Sequence, residues 1–254
     1  MWHWLARAQE LADAGRIFAL VTVTAIKGST PRDPGAKLLV FPDGTFEGTI
    51  GGGQLEKLVL EDAQKRLAEA VSATGNYPLC FRTGQCCGGA VETFVEVIGL
   101  GPQLYVFGAG HVGQSLCQTM MGTPFSVHAI DSRREWLDHP ALPAGVRRHL
   151  EDPVAFVERV SWDRHRSYVA IMTHDHQLDL TLTHLVTQKP ARFIGLIGSD
   201  TKWQRFQQRL TALGASADEI HRVHCPIGVG QFGKAPREVA ISAAAQLLAL
   251  HHGN

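Results

Sequence analysis

Leu104-Tyr105-Val106-Phe107-Gly108-Ala109-Gly110-His111-Val112-Gly113 opens a stretch that continues to Phe125-Ser126-Val127-His128-Ala129-Ile130-Asp131. Its reading decides the fold of the second half of the chain. An apolar strand leads into three glycines, a helical pattern, a second strand and an acid. In a dinucleotide-binding unit the first glycine makes the strand-to-helix turn, the second lets backbone approach a pyrophosphate, and the third lets helix and strand pack closely. The helix start adds free N–H groups and a partial positive charge suited to an anion. Asp131 stands eighteen residues past Gly113, where a ribose-binding carboxylate belongs. Together these features specify the fold, but a fold does not fix its ligand.

Downstream, strand and helix patterns alternate, which argues a parallel sheet covered on both faces. Val112 to Met121 is the first helix, with Leu116 and Met120 on its apolar side. Arg133 and Arg134 follow Asp131 and suit either solvent or a 2′-phosphate, so NAD and NADP are not distinguished. Tyr168 to Met172 reads as a buried strand that ends in Thr173-His174-Asp175-His176-Gln177-Leu178-Asp179. Loops at the carboxyl ends of such strands hold ligands. The two histidines and two acids can bind a metal or shuttle protons; equally, they can cap the helix over Leu178 to Lys189. Phe193 to Ile197 is the next strand, Ser199 or Asp200 caps a helix that buries Trp203, Phe206, Leu210 and Leu213, and a last helix starts near Pro236.

Upstream, the order of elements differs. Trp2 to Ala14 is an amphipathic helix, Ile17 to Ala25 a strand, and Lys27 to Lys37 a loop combining prolines, glycines and three cations. That loop is either a solvated hairpin connection or an anion-binding loop. After strands at Lys37 to Phe41 and Phe46 to Ile50, Gly51-Gly52-Gly53-Gln54 leads into a helix reaching Val71. It is a second glycine-rich helix start, explained by anion binding or by close packing. Gly75 to Pro78 reads as a loop. Cys86-Cys87-Gly88-Gly89 then precedes the alternating strand Val91 to Ile98. A thiolate in so pliable a backbone can meet a ligand, although burial is the usual fate of free cysteine. The expected organisation is α/β: an N-terminal α+β domain over residues 1–101, then a Rossmann-like doubly wound parallel sheet over 102–254.

The 254 residues carry 24 Lys plus Arg against 24 Asp plus Glu, so no overall charge draws the chain to nucleic acid or an anionic membrane. Five cysteines without repeated spacing do not suggest a disulfide framework, and the N-terminus lacks the apolar run of a signal peptide. Cytoplasm is the expected location. Val97 to Ile130 has no Asp, Glu, Lys or Arg, yet glycines and prolines interrupt it, which fits a buried strand-helix-strand and not a membrane span.

Taken in order, Gly28-Ser29-Thr30-Pro31-Arg32 with Gly35-Ala36-Lys37, Gly48-Thr49-Ile50-Gly51-Gly52-Gly53 with Leu55-Glu56, and Cys87-Gly88-Gly89 resemble the XdhC/CoxI accessory proteins of molybdenum hydroxylases. The resemblance continues through Gly108 to Gly113, Met172-Thr173-His174, Gly195-Leu196-Ile197-Gly198-Ser199 and Pro226-Ile227-Gly228. Many relatives carry Cys where this chain has Gln54, so a thiol ligand is excluded at that position. Gln54 and the Gly233-Lys234 segment look like the branch that accompanies xanthine dehydrogenase. The resemblance implies a chaperone-like protein of purine catabolism. It would bind the molybdenum cofactor, protect it during sulfuration and deliver it to apo-xanthine dehydrogenase, with a cysteine desulfurase as partner and a homodimer as a further expectation. It points to Arg32, Lys37, Gly51, Gly52, Gly53, Gln54 and Cys87 as molybdopterin contacts, Cys87 at the molybdenum. Gly108 to Gly113 would form a second anion site, and Gly108, Gly110, His111, Gly113, Asp131 and His174 are the expected cofactor contacts of the second half. The competing expectations are an NAD(P)-dependent oxidoreductase, for which no Tyr-x-x-x-Lys hydride-transfer pair is found, and a metal-dependent hydrolase at His174 to Asp179.

Overall fold

The computed structural model describes residues 3–79, 89–99, 101–230 and 232–253. The chain divides into two compact units, Met1–Leu100 and Gly101–Asn254.

The first unit contains α1 (Trp4–Asp13), β1 (Phe18–Lys27), β2 (Lys37–Val40), β3 (Phe46–Gly48), α2 (Gly53–Glu69), β4 (Ala73–Pro78) and β5 (Ala90–Ile98). Its sheet is antiparallel, in the order β3-β2-β1-β5-β4. Side chains alternate across a strand, and both faces of β1 are apolar. Ala19, Val21 and Val23 pack with Leu55, Val59, Ala63 and Leu67 of α2, which recur every four residues along one stripe. Phe18 and Leu20 pack instead with Ala8 and Leu11 of α1. One helix therefore covers each face.

The expected loop at Gly75 to Pro78 is a strand. β4 pairs with β5 from Ala73↔Val95 to Pro78↔Ala90. Glycine and proline argue against a central strand, but β4 is an edge strand that ends at its proline. The Tyr77 ring covers the place where a side chain on Gly75 would stand, and its hydroxyl donates to Asp62 Oδ2 at 2.7 Å.

The second unit contains β6 (Gln103–Phe107), α3 (His111–Met120), β7 (Ser126–Asp131), α4 (Arg134–Leu137), β8 (Arg147–Leu150), α5 (Pro153–Arg159) and β9 (Ser167–Ile171). It continues with α6 (His176–Thr187), β10 (Phe193–Leu196), α7 (Asp200–Ala212), α8 (Ala217–His221), β11 (Val223–His224) and α9 (Pro236–His252). The sheet is parallel, in the order β11-β10-β9-β6-β7-β8. This is the doubly wound order of dinucleotide-binding domains, and it reverses direction between β6 and β9. Leu104 and Val106 face a layer built from α3 and α9, including Leu116, Met120, Ala243 and Leu247. Tyr105 and Phe107 face Phe156, Leu180, Phe206 and Leu210 of α5, α6 and α7. The helix of Asp200–Ala212 buries Phe206 and Leu210, while Leu213, expected on that side, lies past its end and is exposed.

Candidate functional site

Chain reversal between β6 and β9 leaves a crevice at the carboxyl ends of the strands, and the Gly108–Gly113 turn borders it. Gly108 has φ +104°, and a Cβ there would lie 2.6 Å from Met172 O. A Cβ on Gly113 would collide with Gly108 O. Those two glycines are demanded by the backbone itself. Gly110 is different: its φ is −69°, and a Cβ would meet nothing within 4 Å. Neither conformation nor packing requires glycine there, and the empty space adjoins the start of α3, where N–H groups have no intrahelical acceptor.

Asp131 is placed at the tip of β7, as expected, but it works as the anchor of the turn. Oδ2 accepts from Ala109 N at 2.9 Å and from Arg133 Nη2 at 2.8 Å. Oδ1 accepts from Arg133 N at 3.0 Å and Nε at 2.9 Å. Burial pushes this carboxyl up, but the hydrogen bonds from Arg133 and Ala109 and the guanidinium charge outweigh it and hold the carboxyl below its usual range. Both oxygens are engaged, so a ribose diol has to displace Arg133 to reach them. The guanidinium also lies 5.3 Å from the Trp136 ring centre, and His111 meets that ring edge-on at 5.1 Å. An exposed imidazole, a half-buried indole and a guanidinium thus stand beside the glycine turn.

After β9, the acids of the Thr173–Asp179 segment are committed to structure. Asp175 caps α6, accepting from Gln177 N at 2.7 Å and Leu178 N at 3.4 Å. Asp179, only 1% exposed, accepts from Thr173 Oγ1 at 2.7 Å and from Lys202 Nζ at 2.7 Å. His174 and His176 are exposed. Among the described residues no three His, Cys, Asp or Glu side chains are grouped to hold a metal. Sequence reasoning missed Lys202, Arg205 and Arg209, which border a cavity of about 600 Å³ beside Thr173. Their i, i+3, i+7 spacing was the available signal.

In the first unit, the glycine-rich start of α2 is filled by the chain itself. Glu56 Oε2 accepts from Thr49 Oγ1 at 2.6 Å, Ile50 N at 3.1 Å and Gly52 N at 3.3 Å. Gly51 has φ +129° and lies against Pro31, with Arg32 adjoining; a Cβ on Gly89 would sit 2.6 Å from Lys27 O and Ser29 O. Both glycines therefore seat the Lys27–Arg32 loop. Gly53 and Gln54 are exposed. Lys37 donates to Thr22 Oγ1 at 2.9 Å and lies 4.6 Å from the Trp4 ring centre. Along β2 it shares a face with Leu39, which packs with α1, and not with Leu38, which packs with α2. The strand thus directs Lys37 away from the glycine cluster.

Cys86 and Cys87 lie outside the described residues. Burial pushes the thiols of Cys117 and Cys225 up to about 12, so neither supplies a thiolate at neutral pH.

Fold and crevice define a two-unit protein whose second unit is of dinucleotide-binding type. Residues 104–247 match the model of the XdhC Rossmann domain, and residues 11–78 match that of the XdhC and CoxI family. The chain belongs to the XdhC family. It is 32% identical over 246 residues to the uncharacterized protein YqeB of Escherichia coli K12, covering 95% of this chain and 45% of that protein. It is 25% identical over 155 residues to a probable xanthine dehydrogenase component of Bacillus subtilis, covering 61% and 44%. The chain therefore spans about half the length of these curated relatives. The crystal structure of a Bacillus halodurans protein described as a xanthine dehydrogenase shares the fold, with TM-score 0.52, 21% identity, and coverage of 98% and 96%. Among the described residues no helix is long and apolar enough to cross a membrane.

Proposed function

We propose that this protein binds the molybdenum cofactor, shields it during sulfuration by a cysteine desulfurase, and passes it to apo-xanthine dehydrogenase. Gly110 carries the reading: the chain forgoes a side chain where neither φ nor packing forbids one, beside helix N–H groups suited to the phosphate of molybdopterin. Family membership and the names of the relatives support the partner. The phosphate fits this turn, with Arg133 and His111 beside it, and Trp136 offers a face to a flat ring system. The bound cofactor would supply the metal centre; the chain's residues hold and orient it and exclude water. Arg32, Gly51 to Gly53 and Cys87 remain candidate contacts of the first unit.

The test is to purify the chain with molybdopterin and offer it to apo-xanthine dehydrogenase. Cofactor retention and restored hydroxylase activity are expected; no retention and no restoration would overturn the reading. The strand order favours one second reading, an NAD(P)-dependent oxidoreductase. The engagement of Asp131 by Ala109 and Arg133 weighs against it. Calorimetric heat on adding NAD or NADP would support this second reading, and its absence would remove it.

A further inference from the structure

The helix of Asp200–Ala212 carries three cations, Lys202, Arg205 and Arg209. With Phe206 they fall on a single stripe, since residues three and four apart are neighbours on a helix. Like charges at i, i+4 disfavour a helix, and a stripe meant only for solubility would intersperse acids. The one acid of this helix, Asp200, lies in its first turn, where it matches the positive helix end.

The stripe borders the cavity of about 600 Å³, together with Thr173, His176 and Ser199, and among the described residues no carboxylate borders it. Lys202 is neutralised by Asp179 at 2.7 Å. Among the described residues Arg205 has no ion-pair partner and the Arg209 side chain donates only to the neutral Gln177 Oε1, at 2.6 Å. Two guanidinium groups without ion-pair partners among the described residues thus border one cavity that the buried Phe206 also lines. Thr173 connects this cavity to the glycine turn, because its Cα lies 2.9 Å from where a Cβ on Gly108 would stand.

From this arrangement we infer that Arg205 and Arg209 form a second anion subsite, for a phosphate or pyrophosphate group, separate from the Gly108–Gly113 turn. Guanidinium forks match phosphate oxygens in pairs. The ligand of this unit then carries anionic groups at two separated points along the carboxyl edge of the sheet.

The test uses the full chain and inorganic pyrophosphate, titrated by calorimetry at low ionic strength, where screening is weak. Because the probe contains no pterin, the result is independent of the cofactor reading. Saturable binding is expected in the millimolar range or tighter, weakened about tenfold by Arg205→Ala and more by Arg205→Ala with Arg209→Ala. Both arginines are exposed, so unchanged thermal melting will show that the variants fold. Gly110→Val removes the glycine turn as a competing phosphate site, and in that background the arginine-dependent binding should persist. Absence of saturable binding, or equal binding with and without Arg205→Ala and Arg209→Ala in the Gly110→Val background, would each overturn the subsite.

Discussion

Asp131 Oδ2 accepts the backbone N–H of Ala109 at 2.9 Å, fastening the tip of β7 to the glycine turn that follows β6. A residue expected to meet a ligand thus also fixes the shape of the turn beside it. Asp131→Ala leaves the buried Ala109 N–H and the partly exposed Arg133 guanidinium without their acceptor. We expect a loss of about 1–3 kcal/mol in urea unfolding. A loss below about 0.5 kcal/mol would mean that water replaces the carboxylate fully.

The glycines of the turn should separate in mutagenesis. Gly113→Ala drives a Cβ into Gly108 O and is expected to destabilise by about 1–3 kcal/mol. Gly110→Ala places its Cβ in open space and should cost only the poorer N-cap, about 0.5–1 kcal/mol. Gly110→Val should nevertheless abolish molybdopterin retention. Normal retention in a folded Gly110→Val protein would move the site elsewhere.

Stability should fall in mild acid because of a histidine pair on β7 and β8. His128 Nδ1 lies 2.9 Å from His149 Nε2. Burial, with the charges of Arg147 and His149, pushes His128 from 6.5 down to about 3, and burial lowers His149 as well. Below the ordinary value of 6.5 the unfolded chain takes up protons that the folded chain refuses. Stability from His128 is thus complete above about pH 6.5 and lost on the way down toward pH 3, with a slope approaching about 1.4 kcal/mol per pH unit. His128→Gln should flatten that part of the urea-midpoint profile; an unchanged slope would assign it to other groups.

Glu56 offers a test in the first unit. Glu56→Ala frees the N–H groups of Ile50 and Gly52 and the Thr49 hydroxyl, and about 1–2 kcal/mol should be lost. If these donors also suit an external anion, phosphate should raise the melting temperature of Glu56→Ala more than that of the unaltered protein. An equal response would show that this nest serves only to start α2.

How much of the site was legible depends on how far apart its parts lie in the chain. The turn at Gly108 and the close packing at Gly113 were readable because both arise within six residues. Asp175 as a cap was legible for the same reason, being beside the helix it starts. The engagement of Asp131 by Ala109 was not, because it joins residues 22 apart, nor was the pairing of Asp179 with Lys202, 23 apart. The cationic stripe was present as a periodicity, but only the fold shows that it borders a cavity.

By itself, the sequence determined the two kinds of sheet and the doubly wound half, since alternation of apolar residues and glycine punctuation are local consequences of backbone sterics and burial. Tertiary structure alone decided that β8, whose residues are Arg147-Arg148-His149-Leu150, is a strand, because its order comes from pairing with β7 and not from its composition. It also decided which polar groups are already satisfied. Glu56 fills one glycine-rich start and Arg133 occupies Asp131, while among the described residues nothing fills the space beside Gly110 or pairs with Arg205, because hydrogen-bond partners are chosen by distance in space and not by distance along the chain.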